Sequence, residues 1–241
     1  MNHLLPTATA TDEQRRNANV AVLPVGSFEQ HGDYLPLITD TVVACAIARE
    51  LADAYPVLLL PPITLSCSHE HSAWAGTTSI SAQTLFSVIN DVYESVTRSG
   101  PFAMAVVNGH GGNYVLSNVV QEANAKGHRM ALFPQREDWN DARKAGELVT
   151  SISEDMHAGE IETSILLHVT PDLVRRGYES ADHMANDRRH LLTAGMQAYT
   201  ESGVIGRPSL GTAEKGKAVL GSLVQSFAEV LRLLDNAPPR P

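Results

Sequence analysis

Short apolar segments that alternate with helix-period segments constrain the fold of this chain most. Continuous apolar segments of this length predict strands that are buried on both faces. The segment over 56–63 carries its prolines at its ends, where a strand tolerates them. The segments are NVAVLPVG (19–26), PVLLLPPI (56–63), FAMAVVNG (102–109) and HRMALF (128–133).

The segments between these strands have the apolar spacing of amphipathic helices. Ser81 is a typical N-cap and Gly100 a typical stop for one of them. The predicted helices cover 41–55, 81–100, a segment ending near Ala125, 157–169, 188–202 and 212–236. Strands that alternate with helices indicate the α/β class, with a mainly parallel sheet between two helical layers, a three-layer α/β/α fold.

The length of 241 residues fits one large domain, and a hydrophobic fraction of 43% is sufficient for its core. We predict a flexible N-terminal arm over 1–18, a single catalytic domain over 19–235 and a flexible tail over 236–241. The polar start has no apolar signal segment, so the expected location is the cytoplasm.

Charge and composition exclude several classes of protein. A net charge of −9 and the lack of a Lys/Arg cluster argue against nucleic acid as a partner. No apolar stretch is long enough for a membrane span. Cys45 and Cys67 are the only cysteines, so the chain has no disulfide framework and no zinc-finger pattern.

Polar residues cluster directly after the first predicted strand. Glu29, His31 and Asp40 follow it within PVGSFEQHGDYLPLITDT, and ligand sites in open α/β sheets lie beyond the carboxyl ends of the strands. If the loop is extended, Glu29 and His31 share a face. The alternative is an ordinary polar loop, with Asp40 as the N-cap of the next helix.

A second cluster, NGHGGN, follows the third predicted strand and presents His110 between glycines. Two histidines and two carboxylates at one crevice suit zinc, manganese or iron better than calcium. A hydrogen-bonded turn is the alternative for His110.

The segment DMHAGEIETS supplies His157 at a predicted helix start and Glu160 one turn later on the same face. Burying Glu160 and Glu162 among apolar neighbours is costly without a partner, so one of them is predicted to face a metal. An exposed helix face is the alternative.

The loop SCSHEHSAWAGTTSIS (66–81) contains His69 and His71, which could be ligands. We favour a substrate-lining role for Glu70, His71 and Trp74; the alternative is a surface loop with a packed tryptophan. The sequence has no nucleophile elbow, no HExxH helix and no phosphate loop. Among the mechanisms considered, hydrolysis by metal-bound water is the one that remains.

Four motifs, in order, resemble the creatininase family of metal-dependent amidohydrolases. They are LPVGSFEQHGDYLPLITDT, HSAWAGTTSIS, VVNGHGGN and HAGEIETSILLHVTPDLV, within about residues 20–175, and GVIGRPSLGTAEKG extends the similarity. The resemblance implies a three-layer α/β fold, a two-metal centre and often a hexamer.

By position, the resemblance implies that Glu29 and His110 hold one metal, that His31 holds the other and that Asp40 bridges them. Creatininase has a glutamate two residues after the histidine of its NGH motif, where this chain has Gly112. We predict that Glu160 fills this gap, as a ligand that also acts in catalysis. Glu162, at the family's Glu-Thr pair, would orient a ligand or replace Glu160.

The resemblance also assigns His157 as a proton shuttle, and we place Asp33, Gly111 and Gly112 in the substrate pocket. The predicted activity is hydrolysis of the C–N bond of a small cyclic amide or formamide by a hydroxide that bridges two divalent ions (Zn, Mn or Fe). Three alternatives remain: a creatinine amidohydrolase proper, a peptidase that trims a modified peptide in mycofactocin maturation, and a non-catalytic metal-binding protein. A homo-oligomer is expected.

Overall fold

Four parallel strands form the sheet in this computed structural model, which describes residues 4–236. The strands are β1 (Val20–Val25), β2 (Leu58–Leu59), β3 (Ala103–Asn108) and β4 (Met130–Phe133). Their order in the sheet is β2-β1-β3-β4, and each neighbouring pair is parallel. The carboxyl ends of all four strands therefore lie at one edge of the sheet, as predicted.

Helices cover both faces of this sheet. They are α1 (Ala10–Arg16), α2 (Thr39–Ala54), α3 (Ala82–Ser99), α4 (Val115–Ala125), α5 (Arg136–Ala145), α6 (Glu160–Val169), α7 (Leu191–Ala194) and α8 (Ala213–Asn236). Ser81 caps α3 by accepting a hydrogen bond from the Thr84 amide. No helix in the described range is both long and apolar enough to span a bilayer.

Alternate residues of β1 enter two separate cores. Val20 and Val22 pack with α2, α6 and α8 on one face. Ala21, Leu23 and Val25 pack with α3 and α4 on the other. A period of two with both faces buried is the pattern of a central parallel strand. The predicted fold class, a parallel α/β sheet flanked by helices, is confirmed.

The structure differs from the sequence predictions at the chain ends. Within the predicted flexible arm, residues 10–16 form α1, whose N-cap Thr9 makes a capping box with Asp12. Leu4 is buried against the larger core. Helix α8 continues through Asn236, and the rest of the predicted tail lies outside the described residues.

Three internal segments also differ from the predictions. Helix α5 lies in a segment for which no helix is predicted above, and a capping box between Gln135 and Asp138 begins it. Only Leu191–Ala194 is α-helical in the predicted helix over 188–202, because Gly195 ends it at a φ of 72°. Strand β2 is shorter than predicted.

The first turn of α2 lies close against the ends of β1 and β3. A side chain at Gly26 would come within 2.3 Å of the Thr41 Cα, and one at Gly109 within 2.3 Å of the Asp40 carbonyl oxygen. Both glycines are required for this close approach. The helix thereby carries Asp40 to the end of the sheet, between the two loops that follow β1 and β3.

Candidate metal centre

Glu29 lies at the centre of the cluster and is fully buried. Its Oε2 is 3.2 Å from His110 Nε2, and its Oε1 is 3.2 Å from His71 Nε2. Within residues 4–236, neither oxygen has a partner in hydrogen-bond geometry. A buried carboxylate without such partners is costly, and a bound cation would relieve that cost.

Asp40 lies between two histidines. Its Oδ1 is 3.1 Å from His31 Nε2, and its Oδ2 is 3.0 Å from His110 Nδ1. The Ser27 hydroxyl donates a 2.6 Å hydrogen bond to Oδ2. Asp40 is inside the first turn of α2 and Ile38 is the N-cap, so the alternative role of Asp40 as an N-cap is wrong. Its two oxygens face different histidines, which is the arrangement of a bridging carboxylate.

His31 is oriented by its own loop. Its Nδ1 donates to the Glu29 carbonyl oxygen at 3.0 Å, because a carbonyl can only accept. This hydrogen bond leaves Nε2 free to face Asp40, and Glu162 Oε1 lies 4.0 Å from the same nitrogen. A histidine held in this way through its second nitrogen is typical of metal sites.

The described residues contain three overlapping groups whose potential ligand atoms lie within 4.8 Å of one another. The groups are Glu29–Asp40–His110, His31–Asp40–Glu162 and Glu29–His31–His157. Imidazole with carboxylate is the ligand chemistry of zinc, manganese and iron. The four ligands predicted from the strand ends all belong to these groups.

The predicted ligand and catalytic residue Glu160 belongs to none of the three groups. Its carboxylate accepts hydrogen bonds from the Val149 amide and from the amide and hydroxyl of Thr150, and it pairs with Lys215. Burial raises the pKa of Glu160, but Lys215 and Thr150 outweigh burial and lower it. The structure does not bring Glu160, which was predicted as a metal ligand, to the cluster, because its carboxylate is paired with Lys215 of α8 instead.

Glu162 faces the cluster instead. Its Oε2 accepts a 2.6 Å hydrogen bond from the Ala158 amide, which leaves Oε1 toward His31. Ala158 has a φ of 52°, an unusual value for a residue with a side chain, and the Tyr34 hydroxyl donates to its carbonyl oxygen. Contacts that hold such a conformation are common at functional sites. Glu162 thus occupies the position that we expected for Glu160.

His157 lies before α6, not at its start. Its backbone pairs with Ile205 in an isolated bridge. Its Nε2 is 2.6 Å from the Gln30 carbonyl oxygen and its Nδ1 is 3.8 Å from Glu29 Oε1. The predicted shared helix face of His157 and Glu160 is wrong, because α6 begins only at Glu160. His157 still reaches the cluster through its loop.

The loop over 66–81 contributes two side chains to the cluster. His71 is 1% exposed, and Glu70 Oε1 is 3.9 Å from His110 Nε2. A side chain at Gly112 would come within 2.1 Å of Glu70 Oε1. The Glu70 carboxylate therefore occupies the space that a side chain at position 112 would need.

The other predicted pocket residues lie further out. Trp74 is half-buried, with its ring centroid 6.4 Å from that of His71. Asp33, His69 and Gly111 are exposed. A rim position therefore suits Asp33 and Gly111, and His69 lies outside the three groups of potential ligands.

Three contributions were not predicted from the sequence. They are the Ser27 hydroxyl on Asp40, the Cys67 carbonyl oxygen 2.8 Å from His110 Nε2, and the side chain of Gln30. A backbone carbonyl leaves no trace in the residue pattern. The position of Gln30 could have indicated its role, because a polar residue between two candidate ligands is itself a candidate for the same site.

The carboxylates of the cluster attract positive charge. Burial lowers the pKa of His110, but Glu29 and Asp40 outweigh burial and raise it to about 10. Burial also lowers the pKa of His31, and Asp40 raises it to about 9 in spite of this. Burial raises the pKa of Glu29 to about 8. Protons thus neutralise these carboxylates in the metal-free protein, and a divalent cation would do so in the metal-loaded protein.

The remaining titratable groups of the site respond mainly to burial. Burial lowers the pKa of His71 to about 3 and, with help from the His31 charge, that of His157 well below its usual range. Burial raises the pKa of Glu162 to about 7. His71 and His157 are therefore neutral imidazoles at pH 7.

The comparison with family models covers most of the chain. The family model described as Creatininase: Creatinine amidohydrolase matches residues 6–231. The chain belongs to the creatininase family of amidohydrolases, and it is an enzyme of the hydrolase class that acts on C–N bonds.

Two curated relatives differ in their activities. The mycofactocin precursor peptide peptidase of Mycobacterium ulcerans is 34% identical over 230 residues, covering 90% of this chain and 86% of that protein. The creatinine amidohydrolase of Pseudomonas putida is 23% identical over 237 residues, covering 91% of this chain and 90% of that protein.

Solved creatininases share the fold. A creatinine amidohydrolase structure matches with a TM-score of 0.78 at 22% identity, covering 95% of each chain. A manganese creatininase matches with a TM-score of 0.76 at 23% identity, covering 92% of this chain and 93% of its own. A mutant creatininase of Zn–Zn type has a TM-score of 0.77 at 21% identity, covering 93% and 95%.

Proposed function

We propose that this chain is a metal-dependent hydrolase that cleaves an amide C–N bond in a peptide substrate. The observation that carries the proposal is the buried Glu29 carboxylate, which has no hydrogen-bond partner in the described chain and lies 3.2 Å from His110. Burying this carboxyl group without hydrogen-bond partners is costly, and a divalent cation held between it and the histidines would relieve that cost.

Two divalent ions would be held by residues that share Asp40. Glu29, Asp40 and His110 would hold one ion, and His31, Asp40 and Glu162 the other. Zinc, manganese and ferrous iron all suit this ligand set. When bound, such ions lower the pKa of a water molecule and polarise a carbonyl oxygen.

His157 would move the proton. It is neutral, and its Nδ1 faces Glu29 while Nε2 is bound to the Gln30 carbonyl oxygen. Nδ1 can accept a proton from the attacking water and return it to the leaving nitrogen as the C–N bond breaks. The products are a carboxylic acid and an amine, so the reaction adds one water across the bond.

The relatives support a peptide as the substrate class. Four curated mycofactocin precursor peptide peptidases, at 31–34% identity, cover at least 84% of this chain, whereas the creatinine amidohydrolase is 23% identical. Glu70 lies beside the cluster, in space that Gly112 leaves open, and Trp74 lies next to His71. Both side chains would contact the substrate. Asp33 and Gly111 would lie at the rim of the pocket. A modified peptide is therefore the favoured substrate.

A small cyclic amide or formamide is the second candidate. The deep burial of the ligand set favours it, because Glu29 is 0% and His110 5% exposed. A panel of C-terminally modified peptides, creatinine and N-formyl amines separates the two candidates by kcat/KM. Faster hydrolysis of a peptide supports the first, and turnover of small amides alone overturns it.

Metal removal tests the hydrolytic proposal itself. We expect chelation followed by dialysis to abolish hydrolysis, and zinc, manganese or ferrous iron to restore it, while the folded state persists by circular dichroism. Full turnover by a protein with no metal in elemental analysis would contradict the proposal.

A further inference from the structure

Gln30 has a carboxamide whose orientation is fixed by two backbone groups. The Gly32 amide donates to its Oε1 at 3.0 Å, and its Nε2 donates to the Gly203 carbonyl oxygen at 3.1 Å. An amide N–H can only donate and a carbonyl can only accept, so the oxygen and nitrogen of the carboxamide cannot be exchanged. A side chain at Gly203 would overlap this carboxamide, so only glycine permits the contact.

The same Nε2 of Gln30 is 2.9 Å from His71 Nδ1. Since an NH2 group donates, Nδ1 of His71 must accept. A neutral imidazole has one N–H, which in His71 is therefore at Nε2. That nitrogen lies 3.2 Å from Glu29 Oε1, and its N–H faces the cluster.

The backbone carbonyl of Gln30 orients a second histidine, His157, so that its acceptor nitrogen faces the cluster. His157 Nε2 is 2.6 Å from this oxygen and must donate to it. With Nε2 used as the donor, Nδ1 is the ring nitrogen of His157 that can accept, and it lies 3.8 Å from the same Glu29 oxygen. The two rings are 4.4 Å apart between centroids.

We propose that Gln30 is a positioning residue that holds His71 and His157 in opposite roles, one as a hydrogen-bond donor and the other as an acceptor. The inference deepens the proposed hydrolysis and depends on it for its catalytic meaning. Because His71 Nε2 carries a proton, it cannot bind a metal. Its N–H is available to donate to the carbonyl oxygen of the substrate, where negative charge develops. The bare Nδ1 of His157 is available to the water.

The tautomers are measured by long-range ¹⁵N–¹H correlation spectra of histidine-labelled, zinc-loaded protein, with His71→Gln to assign the His71 signals. We expect a protonated Nε2 and a bare Nδ1 in both histidines. The spectrum of the unmodified protein is decisive by itself. A protonated Nδ1 in His71 overturns the proposal, whether or not the protein hydrolyses any amide.

The Gln30→Glu variant tests whether Gln30 determines the tautomer of His71. A carboxylate oxygen facing His71 Nδ1 demands a proton there, so we expect His71 to change its tautomer and His157 to keep its own. Gln83→Glu, at an exposed position of α3, is the matched control and should change neither. An unchanged His71 tautomer in folded Gln30→Glu contradicts the role of Gln30.

Steady-state kinetics test whether the Nε2–H of His71 acts as a hydrogen-bond donor in the reaction. His71→Leu should lower kcat about 100-fold or more, the usual effect of a lost donor to a developing charge, with a smaller change in KM. His71→Gln retains an N–H at a similar distance and should recover at least tenfold of that loss. Equal rates for the two variants would overturn the donor role and leave the hydrolytic proposal standing.

Discussion

His110 and His157 both face Glu29 but are predicted to differ in function. His110→Ala should lose both metal and hydrolysis, because Nδ1 and Nε2 lie against Asp40 and Glu29. His157→Ala should keep its metal and lose about 10²- to 10⁴-fold in kcat, the range of a lost acid–base group. Elemental analysis and kinetics on the same samples separate the two effects, and metal loss in His157→Ala would contradict its assignment as the proton-transfer residue.

At the level of single residues, the sequence predicted that the polar residues following two strand ends lie close together, and the structure brings them into one cluster. Glu29, His31 and His110 were identifiable because a parallel sheet brings the ends of its strands together. The choice between Glu160 and Glu162 was not identifiable from local spacing. It depends on Lys215, which is 55 positions away from Glu160 in the chain.

Helix α2 positions Asp40 only because Gly109 leaves room for it. An alanine there would place a methyl group 2.3 Å from the Asp40 carbonyl oxygen and 2.9 Å from the Ala44 amide nitrogen. We expect Gly109→Ala to shift the helix and weaken metal binding about 10- to 100-fold, as changes behind metal ligands commonly do. Isothermal titration with zinc measures the affinity.

Gly221→Ala is the control, since a methyl group there would meet nothing within 4 Å. Gly221 lies inside α8, so alanine should stabilise the protein by about 0.5–1 kcal/mol and leave zinc binding unchanged. Equal zinc affinities in Gly109→Ala and the unmodified protein would contradict this prediction, because they would show that α2 can shift without displacing Asp40 from the site.

Among the elements, the long periodic helices and the buried strands were predictable, and the connections were not. Helix α5 is strongly polar, so its apolar stripe is weak, and its capping box was the usable signal. The segment over 188–202 has a helical pattern, but Gly195 ends the helix at a φ of 72°, and the short turns on both sides of it contact residues 69–71. Tertiary contacts override local propensity in such segments.

Across the whole molecule, metal binding should be coupled to proton release. The pKa values of His31 and His110 in the metal-free protein are raised to about 9 and about 10, so both are protonated at pH 7, and a metal ligand must be unprotonated. Affinity should therefore rise with pH up to about 10. Titrations in buffers with different ionisation enthalpies count the protons, and no release at pH 7 would contradict this coupling.

The oligomeric state remains a prediction from the family resemblance. We expect a homo-hexamer, and light scattering coupled to size-exclusion chromatography measures its mass directly. A monomer at micromolar concentration would contradict that expectation without affecting the metal centre, because every ligand named above belongs to one chain.

The metal content of two glutamate variants tests the central claim most directly. Glu162→Gln should hold about one ion per chain, against two in the unmodified protein. Glu160→Gln should keep both ions and instead lose about 2 kcal/mol of unfolding free energy, because its charge-assisted bonds to Lys215 and Thr150 weaken. Loss of an ion in Glu160→Gln with full occupancy in Glu162→Gln would contradict the two-ion site proposed here.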